Sequence, residues 1–92
     1  STASMERATV IVGRKKAIRY VTACITLFNQ GRREIVLRAR GRNIENCVRT
    51  VMLLKKSFYS ELKVKGIAIG SDVLERGGDR RYVSYIEIVI RR

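Results

Sequence analysis

Glu34-Ile35-Val36-Leu37-Arg38-Ala39-Arg40-Gly41-Arg42-Asn43-Ile44, EIVLRARGRNI, changes its period halfway along. From Glu34 to Arg40 the residues alternate: Ile35, Leu37 and Ala39 point one way, and Glu34, Val36, Arg38 and Arg40 the other. That is the pattern of a strand with one face on a core. Past Gly41 the apolar positions Ile44, Cys47, Val48, Val51, Leu54 and Phe58 recur at helical spacing, and Asn43 is the expected N-cap of the helix they define. The seam between strand and helix carries Arg40 and Arg42 around a glycine. What those two cations face is the question the rest of the chain has to answer.

The same grammar extends in both directions. Thr9-Val10-Ile11-Val12 is a short β-prone run stopped by Gly13. Between Lys16 and Gln30, Ala17, Ile18, Val21, Cys24, Ile25 and Phe28 trace a helical stripe that Asn29-Gln30-Gly31 ends. A third strand is predicted from about Leu62 to Arg76, and its apolar phase shifts across Gly66, the mark of a bulge. Gly77-Gly78-Asp79 is a turn signal, and Arg80 to Arg92 completes a hairpin. The order β-α-β-α-β-β predicts an α/β chain of the α+β two-layer sandwich kind. It has a four-stranded mixed sheet, two helices on one face and a long C-terminal hairpin arm. Residues 9–92 read as one domain. Residues 1–8 read as a flexible N-terminus, and the four residues ahead of Met5 have the look of a cloning remnant.

Composition narrows the function. The chain has 92 residues, 46% of them hydrophobic, and no proline, which suits one small folded domain rather than a disordered one. Lys and Arg number 20 against 8 Asp and Glu, a formal charge of +12, and self-repulsion of that size calls for a polyanionic partner. No apolar run approaches the roughly 20 residues of a membrane-spanning helix, and no signal-peptide pattern is seen. A polybasic membrane binder would gather its charge on an amphipathic helix, whereas here it falls mainly in loops and strands. Histidine is absent, and Cys24 and Cys47 both sit in apolar helical stripes. They read as buried structural thiols of a reducing compartment rather than zinc ligands. The acids, Glu34, Glu45, Glu61 and Glu87 among them, are scattered without the pattern of a two-metal site. Catalysis, a metal and a cofactor are therefore not expected.

The positive charge is not spread evenly. Arg14, Lys15 and Lys16 fall in the loop before the first helix, with Arg19 one turn in; Arg40, Gly41, Arg42 and Asn43 make the loop before the second. Helix N-termini favour acids, and both loops supply cations instead, an inversion that phosphate would resolve. Neither loop has the spacing of a Walker A motif. Arg76, Arg80 and Arg81 flank the hairpin tip, and a projecting two-stranded ribbon can enter a groove of duplex nucleic acid. Each cluster alone reads as a solvated face. Together with the net charge they read as an interface for a phosphate backbone, with DNA and RNA both open. Tyr82 and Tyr85 lie on opposite faces of the last strand, so at least one is expected to pack rather than stack on bases.

VIVGRKKAIRYV (Val10–Val21), LFNQG (Leu27–Gly31), EIVLRARGRNI (Glu34–Ile44) and YIEIVIRR (Tyr85–Arg92) resemble the Alba family of archaeal chromatin proteins, in order and almost without length change. The resemblance implies a fold like the C-terminal domain of translation initiation factor three, assembled as a homodimer or as a heterodimer with a paralogue, with possible higher assembly along DNA. It implies a non-enzymatic architectural protein of the cytoplasmic nucleoid that binds double-stranded DNA with little sequence preference, and RNA as well. In the family, positions matching Arg14, Lys15, Arg40 and Arg42 contact the nucleic-acid backbone, and hairpins matching residues 75–81 reach into the minor groove. Eukaryotic relatives are subunits of ribonuclease P, which leaves an RNA-binding ribonucleoprotein subunit as the alternative. Two positions depart from the family pattern: Arg14 stands where an acetylatable lysine is usual, and Lys16 where proline is common. Leu53, Leu54, Phe58 and Val89 exceed what one helical stripe needs. Leu54 and Phe58 are the expected contacts within or between dimers, Phe58 matching a phenylalanine that packs between dimers in some members.

Overall fold

The computed structural model describes residues 7–92. Its elements are β1 (Arg7–Ile11), α1 (Ala17–Asn29), β2 (Glu34–Arg40), a 3₁₀ turn (Gly41–Asn43), α2 (Ile44–Ser57), β3 (Lys63–Arg76) and β4 (Asp79–Arg91). The four strands form one mixed sheet in the order β1-β2-β4-β3, with β1 parallel to β2 and the other pairs antiparallel. This is the predicted architecture. Arg7 and Ala8, ahead of the predicted Thr9, belong to β1, and Arg7 pairs with Glu34 across the β1–β2 ladder at 2.8 Å. The rest of the expected N-terminal segment lies outside the described residues.

The core follows from the alternation in β2 and β4. Ile35 opposes Ile90, Leu37 opposes Ile88, and Ala39 opposes Ile86, so three pairs turn one face of the sheet towards the helices. Val21, Cys24 and Phe28 of α1 and Cys47, Val51 and Leu54 of α2 close over them. Both cysteines are free, and burial pushes the Cys24 thiol up to about 12 and the Cys47 thiol up to about 11. They stay protonated and behave as small apolar side chains.

Two expectations need correction. Leu54 is fully buried within the single chain, so it serves the core and not an intermolecular contact; Phe58, one turn on, is half exposed. Asn43 precedes α2 but makes no side-chain cap. The 3₁₀ turn has already wound it into helical dihedrals (φ −84, ψ −4), whereas a capping side chain works from an extended backbone.

The arm is set by where pairing stops. β2 meets β4 only as far as Arg40 opposite Tyr85, while β3 and β4 continue together from Ser71–Ser84 out to Arg76–Asp79. Gly77 and Gly78 turn the chain, both at positive φ (57 and 85), as a tight two-residue hairpin requires. Six residues per strand carry this free ribbon roughly 20 Å beyond the sheet, and the molecule is accordingly 44 Å long against 29 and 20 Å. The predicted irregularity is present as a register shift between Val64 and Gly66.

At the root of the arm the Tyr85 ring lies directly over Gly70: a Cβ there would sit 2.6 Å from its hydroxyl oxygen. Gly70→Ala is expected to lower stability by about 1–3 kcal/mol through over-packing. Chemical denaturation should show most of that loss vanishing in a Tyr85→Ala background, where the clash is gone.

Candidate nucleic-acid interface

The loop between β1 and α1 is held by two side chains. The Tyr20 hydroxyl oxygen accepts the backbone N–H of Gly13 at 2.9 Å and of Lys15 at 3.2 Å. From the other side, the Asn46 amide donates to the carbonyls of Gly13 at 2.8 Å and Lys15 at 2.7 Å. Arg14, Lys15 and Lys16 are left exposed. α1 then begins with Lys16 in the cap position, with no side-chain cap and no acid in its first turn. The positive dipole end of the helix thus has cations beside it and no acid.

The second loop behaves differently. The 3₁₀ turn also lacks a side-chain cap, and Arg42 lies within it. α2, however, carries Glu45 in its first turn, tied to Arg49 at 2.8 Å. The inversion expected at both helices is complete at α1 and only partial at α2, where an i,i+4 pair supplies an acid of its own.

Folding brings the two loops to one place. Arg14, Lys15 and Lys16 line a shallow groove together with Arg42, Asn43 and Arg49, with Glu45 and Asn46 in its wall. Arg19 stands exposed on α1 and is not part of that lining. Arg40 turns the other way, into a neighbouring cleft with Ile11, Val12, Gly13, Arg38 and Ala39, and the two depressions meet at Asn43.

That side of the sheet carries an ion network which sequence reading did not find. Arg40 donates to Asp72 at 2.7 Å, and Arg38 donates to Asp72 and to Glu87, each at 2.9 Å. The Arg38 guanidinium also lies 4.3 Å above the centre of the Tyr85 ring. The hydrogen bonds from Arg40 and Arg38 hold the Asp72 carboxyl below its usual range. Arg40 is therefore partly neutralised, and Tyr85 is packed, as expected of one of the two tyrosines; Tyr82 is exposed.

At the tip, Arg80 is engaged by Glu75 through two bonds of 2.8 and 3.0 Å. Strand alternation puts Arg76 and Arg81 together on the opposite face, away from that pair. Glu34 is paired with Arg7, Glu45 with Arg49 and Glu87 with Arg38. Among the described residues no group of three or more acids and cysteines could hold a metal, and no helix is long and apolar enough to cross a membrane.

Apolar side chains also remain on the surface. Val48 and Met52, one turn apart on α2, are exposed, as are Phe58 and the β3 residues Ile67 and Ile69. Ile67 and Ile69 oppose Ile88 and Ile86, so they lie on the helix side of the sheet, beyond the reach of the helices.

Comparison with known proteins gives the family. The family model described as Alba matches residues 8–71. The chain is 34% identical over 84 residues to the DNA/RNA-binding protein Alba of Methanocella arvoryzae, covering 90% of this chain and 88% of that one. It is 37% identical over 84 residues to the DNA/RNA-binding protein Alba of Pyrobaculum neutrophilum, covering 89% and 91%. Among solved structures, Alba from Thermoplasma volcanium superimposes with a TM-score of 0.85 at 30% identity, covering 91% of this chain and 99% of that one. ALBA1 from Trypanosoma brucei gives 0.74 at 28% identity, covering 91% and 68%.

The arm-root network has a pH signature. Because the Asp72 pKa is lowered in the folded protein, its contribution is fully present above the ordinary value of 3.8 and is lost as pH falls through the lower folded value. Denaturation curves taken below pH 3.8 should therefore fall more steeply for wild type than for Asp72→Asn, which has no proton to take up at that site.

Proposed function

Because the chain belongs to the Alba family, we propose that it is a non-enzymatic nucleic-acid-binding protein, an architectural component of the chromosome that coats double-stranded DNA with little sequence preference and also binds RNA. The observation that carries this reading is the convergence of the two basic loops in one groove, beside an α1 N-terminus with neither cap nor acid. A phosphate backbone laid along Arg14, Lys15, Lys16 and Arg42 supplies the missing negative charge. Affinity then comes from counterion release, and no base is read. Relatives named DNA/RNA-binding proteins support the same coarse function.

The arm extends the contact. Arg76 and Arg81, on the face away from the Arg80–Glu75 pair, are the cations available to a minor groove, while the rest of the ribbon gives them reach. A homodimer places two such arms on one duplex. The exposed Val48, Met52, Ile67 and Ile69 are the surface this assembly would cover, and Phe58 is left for contact between dimers or with a paralogue. On this reading Ile69→Asp sediments as a monomer at concentrations where wild type sediments as a dimer.

The second reading is an RNA-binding subunit of a ribonucleoprotein, such as a ribonuclease P-like complex. The same cations serve it, and competition between a DNA duplex and structured RNA at fixed salt separates the two, since A-form grooves and 2′-hydroxyls present different surfaces.

Salt dependence tests the shared premise. If roughly 6 to 10 phosphates are neutralised, affinity falls about 10³- to 10⁵-fold between about 50 and 200 mM salt. Lys15→Ala combined with Arg42→Ala should weaken binding and flatten that slope by close to two charges per protomer. An unchanged affinity in the double variant would sink the proposed surface.

A further inference from the structure

We propose that Asn46 and Tyr20 are positioning residues of the interface: they lock the Gly13-Arg14-Lys15 backbone from opposite sides and so hold the cations of the first loop against Arg42 of the second. This rests on the nucleic-acid reading above and adds to it the residues that preorganise the surface.

The hydrogen bonding is complete in an unusual way. Gly13 and Lys15 each have one backbone N–H and one carbonyl. The Tyr20 hydroxyl oxygen accepts from both N–H groups, and the Asn46 amide donates to both carbonyls. Four main-chain polar groups of a surface loop are thus satisfied by two side chains instead of by water. Arg14 lies between the two clamped residues, so its direction is set by bonds on either side of it.

The two clamps come from different elements. Tyr20 belongs to the first turns of α1, so it ties the loop to the helix the loop leads into. Asn46 belongs to the start of α2, three residues past Asn43, so its amide fixes the spacing between the two basic loops. Three consecutive cations repel one another and would spread an untethered loop. The clamps bring that ordering forward into folding, and binding no longer has to supply it. The Asn46 position calls for a donor: both partners are carbonyls, so the side chain must donate twice, which an amide does without adding charge, and aspartate at that site would donate nothing.

The clamp is distinguishable from a contact residue and from a general stabiliser. Asn46→Ala removes no charge, so the slope of log affinity against log salt stays at the wild-type value. Affinity for a short mixed-sequence DNA duplex falls roughly fivefold to tenfold, the cost of ordering a few loop residues on binding. In an Arg14→Ala/Lys15→Ala background the same substitution costs less than twofold, because the cations it positions are gone. If Asn46→Ala does not fold, Tyr20→Phe keeps the ring, removes the accepting oxygen and is read in the same cycle. Equal losses in both backgrounds, or no loss in wild type, overturn the positioning role while leaving nucleic-acid binding intact. A wild-type protein without salt-dependent binding overturns the functional reading, and this proposal with it.

Discussion

The pairing of β4 with β2 ends at Arg40 opposite Tyr85, and most of the molecule's shape depends on that end point. Up to it, β4 is a central strand whose Ile86, Ile88 and Ile90 fill the core beneath both helices. Beyond it, the same strand has only β3 beside it and leaves the body as half of a ribbon. A two-stranded ribbon is weak in isolation, so its root has to be held. Asp72 holds it by drawing Arg38 and Arg40 of β2 across to β3, and Tyr85 packs between Arg38 and Gly70 on the same face. Two of the few acids in a strongly basic chain, Asp72 and Glu87, are thus placed where they stiffen the arm and do not dilute the groove.

That placement gives the surface its order. The acids that could neutralise the interface mostly lie elsewhere: Glu34 is held by Arg7 and Glu75 by Arg80. Two acids are exceptions: Glu45 at the start of α2, where Arg49 answers it, and Asp79 at the arm tip, opposite Arg76. The groove is therefore more cationic on its α1 side than on its α2 side. Much of the charge of a +12 chain falls at the two loops and on the arm face of Arg76 and Arg81, and a second group, Lys55, Lys63, Lys65 and Arg91, gathers at the start of β3. Charge spread this widely suits a long polyanion rather than a small ligand.

Much of this was legible in the residues. The period change inside EIVLRARGRNI fixed the β2–α2 junction, the phase shift across Gly66 marked the bulge, and Gly77-Gly78 marked the hairpin, because each is a local pattern read over a few residues. The loops that carry Arg14, Lys15, Lys16 and Arg42 were found by the same local reading. What went astray was assigned by local rules and decided by neighbours far along the chain. Asn43 has the right identity for a cap and the wrong dihedrals. Leu54 has the right character for an interface and lies under the sheet. Arg40 reads as a free cation until Asp72, distant in sequence, turns out to be within hydrogen-bond reach.

Sequence alone determined the element order, most of the core residues (Ile18, Val48 and Phe58 of the helical stripes are exposed), the excess of positive charge and the two loops where it gathers, since these follow from periodicity and composition. Tertiary structure alone decided that the loops share one groove, which of the arginines are already paired, and that Tyr20 and Asn46 clamp the first loop between them. Nothing in the spacing of Asn46 tells it apart from any other polar residue on an amphipathic helix. Its two bonds exist because α2 packs beside α1 and brings the amide up to a backbone 31 residues away in the chain. Such a contact has no local signature: its partners are set by how the helices dock on the sheet.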